Sequence, residues 1–174
     1  MDMVSQLADC GVRNVSLTGG EPLVRKDFME IVDALLERDI HIRAIYSNGG
    51  LVTDSLLDAL AERGVRPEFN MSYDGEGCHD WLRGIPGAEK AVEEAFLRCR
   101  RKGFPTGAEM CIHNANRHTL RKSVRNLAAW GCRSLKVVPV SDVGAWKEGG
   151  MGQSIRLEEL YRLYLEYIPQ YYED

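Results

Sequence analysis

The stretch Val15-Ser16-Leu17-Thr18-Gly19-Gly20-Glu21-Pro22-Leu23 decides how the rest of the chain is understood. Residues 15–17 suit a short buried strand, and Gly19 and Gly20 then permit positive φ and leave bare backbone for a ligand to touch. Pro22 has no amide hydrogen and biases Glu21 to an extended conformation. That pairing is expected to hold the local carbonyls outward rather than folded into a helix. The loop is acceptor-rich, with carbonyl oxygens beside the Glu21 carboxylate, and so suits an ammonium group. A phosphate would instead need a nest of N–H donors and usually a Lys or Arg. The alternative is a strand-to-helix turn in which the Gly pair only makes the corner.

Outward from this loop the chain alternates helical and strand patterns. A helical pattern over residues 3–10 closes at Gly11, and a strand over residues 13–17 leads into the loop. Asp27 is a candidate N-cap for a helix whose Phe28, Ile31, Val32, Leu35 and Leu36 recur on one face. Residues 41–46 form the next strand, ending in Ser47-Asn48-Gly49-Gly50. Thr53 caps a helix that stops at Gly64. A strand over residues 67–72 runs out into Tyr73-Asp74-Gly75, and a loop over residues 76–86 precedes a helix stopped by Gly103. The strand 106–113, a helix stopped by Gly131 and the strand 135–140 follow. A helix over residues 155–172, broken near Pro169, closes the chain. Glycine-stopped helices feeding strands at regular intervals predict an α/β fold of parallel βα units. Residues 1–143 are expected to form that core, and residues 144–174 a connector loop and helix.

Composition sets the bounds on function. The 174 residues are 44% hydrophobic and 28% charged, as expected of one globular domain with a sizeable core. A net charge of −4 with no basic run gives no electrostatic case for nucleic acid. No apolar run reaches membrane-spanning length and no signal peptide is present, so neither membrane nor export is expected. Cys10, Cys78, Cys99, Cys111 and Cys132 are odd in number and never paired as CxxC. They suggest small buried hydrophobes in a reducing cytoplasm, not a disulfide framework or a zinc site.

In parallel βα folds the functional groups lie on loops at the C-terminal ends of the strands. Those ends carry Thr18 to Glu21, Ser47 and Asn48, Ser72 and Asp74, His113 to Asn116, and Pro139 to Asp142. Asp74 suits a ribose hydroxyl, and Ser47 and Asn48 suit a hydroxyl or a carboxylate. Arg83, with its planar fork, suits a ligand carboxylate. Taken singly, each polar residue is also a turn-former or a helix cap. Cys78-His79-Asp80 suggests a nucleophile set, but adjacent side chains diverge, and a loop-tethering role suits Asp80 better.

The run Leu17 to Phe28 resembles the GGEP loop of the radical S-adenosylmethionine (SAM) superfamily, in the branch that modifies peptides and proteins and often carries a SPASM-type iron–sulfur extension. Tyr46-Ser47-Asn48-Gly49 is similar to the family's strand-end TNG or SNG segment. Met71-Ser72-Tyr73-Asp74-Gly75, with His79-Asp80 and Arg83-Gly84, is similar to its SLDG…HD…RG signature, Tyr73 replacing the usual aliphatic residue. The resemblance implies a (β/α)6-type partial TIM barrel whose first βα unit is missing here. It implies SAM contacts through Gly19, Gly20, Glu21, Pro22, Ser47, Asn48, Ser72, Asp74, Arg83 and Asn116. The GGEP loop would hold the methionyl amino group, Arg83 the carboxylate, and the segment from Met110 to Asn116 would lie beside adenine. Pro139 resembles the sixth-strand end.

The same resemblance implies reductive cleavage of SAM by a [4Fe–4S] cluster, giving a 5′-deoxyadenosyl radical that abstracts hydrogen from a peptide or protein. The family's CxxxCxxC motif is absent from the chain. The expectation is therefore a SAM-binding core that is inactive alone, with no catalytic residue assignable and the cluster held only in a longer parent protein. Removal of a first strand would also leave an edge open to self-association. Two alternatives stand beside this one: a non-catalytic peptide-binding module on the same barrel, and a SAM-independent α/β-barrel lyase.

Overall fold

Helices in this chain hand over to strands at glycines: Gly11, Gly64, Gly103 and Gly131 all adopt positive φ, between 73° and 93°. At Gly103 (φ 73°) the chain leaves the helix Ala88–Lys102 with its N–H bonded back to the last turn, a conformation that costs a residue with a Cβ. Arg100, Arg101 and Lys102 crowd that same last turn, where positive charge offsets the helix dipole.

A computed structural model of the chain describes residues 2–141, 143, 146–147 and 154–172. The elements are α1 (Asp2–Asp9), β1 (Asn14–Leu17), α2 (Phe28–Leu36), β2 (His41–Ser47), α3 (Asp54–Glu62), β3 (Glu68–Ser72), α4 (His79–Arg83), α5 (Ala88–Lys102), β4 (Thr106–Ile112), α6 (Leu120–Trp130), β5 (Ser134–Pro139) and α7 (Leu157–Tyr171). The five strands are all parallel and stand in the order β1-β2-β3-β4-β5. Sequential order means each crossover moves one place in the same direction, so the helices pack on one face and the sheet has no switch point. This is a barrel wall, the (β/α) architecture expected from the alternating pattern.

Strand alternation then sorts the side chains. Ile45, Phe69, Met71 and Ala108 point to the helices and are buried with Val32, Leu35, Leu57, Leu60, Val92, Phe96 and Leu127. On the other parity Glu109 reaches Lys136 at 3.0 Å, an exposed pair on the face the helices leave uncovered. A smaller cluster of Ile112, Ile155 and Leu160 seats α7 beside β4 and β5, and the Tyr164 hydroxyl donates to the Val137 carbonyl.

Four local expectations are revised. Residues 76–86 are not all loop, because residues 79–83 form α4, too short to give a periodic signal. Pro22 opens a 3-10 turn over Pro22–Val24 immediately after an extended Glu21 (φ −136°, ψ 108°), so the carbonyls beyond Glu21 do fold inward. Asp27 does not cap α2 but pairs with the Arg25 guanidinium at 2.6 and 2.9 Å. Pro169 does not break α7. It falls in the last turn, where the ring costs a single backbone hydrogen bond, the one to the Leu165 carbonyl. Thr53 does cap α3, accepting from the Leu56 N–H at 3.2 Å. Most of the Gly-rich segment 144–152 lies outside the described residues.

Candidate functional site

All five strands run the same way, so the loops after Leu17, Ser47, Ser72, Ile112 and Pro139 open on one rim. Two polar assemblies sit there, one after β1 and β2 and one after β3 and β4.

The first is organised by Glu21. Its Oε2 accepts the Asn48 N–H at 2.7 Å and the Ser47 hydroxyl at 3.1 Å, while Oε1 accepts the Leu23 N–H at 3.2 Å. Ser47 accepts in turn from the Gly49 N–H, and Asn48 Oδ1 from the Gly50 N–H. The SNGG turn thus exists to aim donors at a carboxylate on the neighbouring loop. Three bonds occupy about three of the four lone-pair sites of a carboxylate, so Glu21 keeps one acceptor position. Gly19 and Gly20 face open space, and Pro22 behind them is buried.

Asp74 centres the second assembly and is fully buried. Its Oδ1 accepts the Cys111 N–H at 2.9 Å and its Oδ2 accepts Arg83 Nε–H at 2.7 Å. His79 Nδ1 lies 3.0 Å from Oδ2 and 3.1 Å from the Asp74 amide nitrogen, and serves one of them at a time. Helix α4 explains the convergence: His79 and Arg83 are four residues apart, so one helical face presents both to the same carboxylate. Burial pushes the Asp74 carboxyl up, but the His79 hydrogen bond and the Arg83 charge outweigh it and hold the group below the usual carboxylate range. Asp80, the next residue of α4, accepts the N–H groups of Gly87 and Glu89 at 2.6 and 2.7 Å and so ties down the loop before α5.

Asn116 is a clamp with nothing spare. Its amide donates to the Asp74 and Cys111 carbonyls, both at 2.9 Å, and its carbonyl accepts the His113 N–H at 2.8 Å. Gly75 lies against the same loop at φ +102°, where a Cβ would collide with the Thr119 hydroxyl. The His113 ring is buried between Trp81 (centroids 5.5 Å apart) and Trp146 (5.2 Å). Its Nδ1 accepts the Ala115 N–H at 3.2 Å, and its Nε2 has no protein partner among the described residues. A buried donor left unpaired costs about 1–3 kcal/mol. Burial also pushes the imidazole down from its ordinary value, against the pull of the Asp74 charge, so the ring is neutral near pH 7.

The sequence-derived residues therefore divide. Gly19, Gly20, Glu21, Pro22, Ser47 and Asn48 form one connected loop pair. Ser72 lies at the end of β3, its hydroxyl free of protein partners among the described residues. Asp74 and Asn116 are enclosed, with every polar side-chain atom engaged by protein, which leaves no room for the expected ribose contact by Asp74 in this arrangement. Arg83 has about a third of its side chain exposed, and Asp74 engages its Nε, so the guanidinium is anchored at one edge. His79 was missed as a partner in this network. Its i,i+4 spacing to Arg83 was the available signal, hidden because the segment lacked a helical pattern.

An iron–sulfur cluster does not fit these residues. A cluster needs several thiolates converging on it, and no group of three His, Cys, Asp or Glu among the described residues could hold a metal. Burial, with nearby carboxylates, also pushes the Cys78 and Cys111 thiols up, away from the thiolate form. SAM does fit: the rim offers an anionic loop with open glycine backbone, an anchored guanidinium and an unused buried donor.

Known proteins give the same family. Residues 1–127 match the Radical SAM superfamily. The chain is 25% identical over 144 residues to a PqqA peptide cyclase of Granulibacter bethesdensis, covering 82% of this chain and 38% of that protein. It is 27% identical over 164 residues to the sporulation killing factor maturation protein SkfB of Bacillus subtilis, covering 94% and 40%. The chain thus spans about two fifths of these relatives' length. Streptococcus suis SuiB bound to S-adenosylmethionine superposes with a TM-score of 0.77 at 20% identity, over 98% of this chain and 39% of SuiB. The anSMEcpe structure with bound AdoMet and a Cp18Cys peptide gives 0.79 at 18% identity, over 99% and 51%. With a parallel barrel wall, a GGEP loop locked to an SNG turn, and a family match over most of its length, this chain belongs to the radical SAM superfamily, whose enzymes use SAM and a [4Fe–4S] cluster.

Proposed function

We propose that this chain is the SAM-holding barrel of a radical SAM enzyme that acts on a peptide or protein. One observation carries the proposal: a carboxylate (Glu21) and a guanidinium (Arg83), each anchored by its own shell of hydrogen bonds, stand on the C-terminal rim of one parallel sheet. An amino-acid head group bears the complementary pair, an ammonium and a carboxylate. Glu21 with the backbone of Gly19 and Gly20 takes the ammonium, and the outer nitrogens of Arg83 take the carboxylate. Ser72, Ser47 and Asn48 supply the polar contacts between. Asp74 and Asn116 hold Arg83 and the β4 loop in place and do not touch the ligand. The peptide-modifying relatives favour a peptide or protein substrate.

When bound beside a reduced cluster, SAM supplies a 5′-deoxyadenosyl radical that takes hydrogen from a substrate. The five cysteines here do not provide that cluster, so this chain binds and orients SAM, and cleavage awaits thiolates it does not arrange. The lyase alternative needs a neutral lysine. Lys136 lies within β5, not at a strand end, and its hydrogen bond to Glu109 pushes its pKa up, favouring the charged form.

Isothermal titration of the full chain with SAM tests the proposal. Glu21→Gln and Arg83→Met are each expected to weaken binding by about 10- to 100-fold, the worth of a charged hydrogen bond. Absence of SAM binding by the unaltered chain at millimolar ligand would refute it. Capture of peptide without SAM would then support the binding-module alternative.

A further inference from the structure

The sequence holds one Asn-Gly pair, Asn48-Gly49, and it lies in the turn that serves Glu21. Asparagine before glycine is open to cyclisation, because no side chain at the second residue shields its nitrogen. Here packing imposes the glycine: Gly49 is buried at φ +83°, and a Cβ would stand 3.0 Å from Val92 Cγ2 and 3.2 Å from its Cα. Three hydrogen bonds then bear on the reaction. The Gly49 N–H donates to Ser47 Oγ at 3.1 Å, and the Ser47 hydroxyl donates onward to Glu21 Oε2 at 3.1 Å. A proton leaving the Gly49 nitrogen thus has a path through one hydroxyl to a carboxylate, the arrangement that activates a weak nucleophile. The Gly50 N–H donates to Asn48 Oδ1 at 2.9 Å, where negative charge develops when the side-chain carbonyl is attacked. Only the oxygen can accept that bond, so it fixes which way the amide is turned. The amide NH2 is left without a protein partner among the described residues, on an exposed side chain from which a leaving group can depart.

We propose that Asn48 is a self-modification site, at which the SNGG turn promotes its own conversion to aspartate and isoaspartate. The Gly49 nitrogen bonds to Asn48 Cγ and gives its proton through Ser47 to Glu21. The bond from Cγ to the amide nitrogen breaks, that proton leaves with the nitrogen as ammonia, and a succinimide ring remains. Water then opens the ring, at Cγ to give aspartate or at the Asn48 backbone carbonyl to give isoaspartate. Both products place a second carboxylate beside Glu21, and isoaspartate also lengthens the backbone by a methylene. The donors that hold Glu21 then lose their register. This chemistry needs no bound cofactor and stands or falls apart from the SAM-binding function proposed above.

The test incubates the full chain in neutral buffer, folded and unfolded in urea, and follows residue 48 by peptide mapping with mass spectrometry. Conversion is expected to be at least about tenfold faster in the folded chain, because only there do Ser47, Glu21 and the Gly50 N–H act together. Ser47→Ala cuts the proton path and Glu21→Gln removes its end. Each is expected to bring the folded rate down to that of the unfolded chain, while conversion in urea stays the same as in the unaltered sequence. A folded chain that converts no faster than the unfolded one would overturn the proposal, as would an unchanged folded rate in both variants. Should either variant not fold, the comparison of folded and unfolded states in the unaltered chain decides the matter.

Discussion

Asp74→Asn is the most informative single change outside the ligand contacts. The substitution keeps the shape of the side chain but replaces one carboxylate oxygen by an NH2 group. Asp74 faces two donors in fixed positions, Arg83 Nε–H at 2.7 Å and the Cys111 N–H at 2.9 Å. Whichever way the amide is turned, one of those donors meets another donor. If the amide nitrogen faces Arg83, a charge-assisted bond worth about 1.5–3 kcal/mol is lost, and its N–H competes with the Asp74 backbone N–H for His79 Nδ1, so one buried donor left unpaired adds about 1–3 kcal/mol. Removing one partner of a buried ion pair falls in the same range, so the expected loss is about 4 kcal/mol. For a chain of this size that lowers the thermal midpoint by about 8–16 °C. Urea unfolding of Asp74→Asn, Arg83→Met and the double variant measures the coupling directly. The pH dependence gives a second check. The folded Asp74 carboxyl is held below its ordinary value, so its contribution is fully present above the unfolded pKa of about 3.9 and is lost as pH falls through the folded one. The gap between native and variant is therefore level from neutral pH down to about pH 5 and narrows below about pH 4. A variant within about 0.5 kcal/mol of the native chain, or a gap that widens in acid, would refute the assignment of Asp74 as the organising anion.

Three further expectations follow from other parts of the fold. Gly75→Ala forces a Cβ into the Thr119 side chain at φ +102° and is expected to cost at least about 2 kcal/mol, and an unchanged urea midpoint would remove the close approach from the account. Thiol labelling at mildly alkaline pH should modify exposed Cys10 rapidly and leave Cys99 untouched until unfolding, since burial pushes the Cys99 thiol up to about 12; rapid native-state labelling of Cys99 would contradict its place on the buried face of α5. Among the described residues strand β1 bonds to β2 alone, and its other edge is expected to pair with a second copy at high concentration; a monomer mass at every concentration in sedimentation equilibrium would count against this.

The repeating glycine-stopped helix and the loop at Gly19 to Pro22 were legible in the residues because they are local. A helix period, a positive-φ stop and a proline's missing donor act within a few residues, and they specified parallel βα units and an acceptor-rich rim. The exceptions were also local in cause. Helix α4 is too short to show a period, and Asp27 found a charged partner two residues away that outcompeted capping.

From the sequence alone came the fold class, the rim on which function sits, and the chemical character of Glu21 and Arg83. Tertiary structure alone decided which polar residues stay open on the rim and which are bonded internally. Glu21 lies 26 residues from Ser47, Asp74 37 from Cys111, and Asn116 42 from Asp74. No local rule links such distant groups. A buried carboxylate or amide must satisfy itself from whatever the packing brings near. That requirement turned Asp74 and Asn116 into supports.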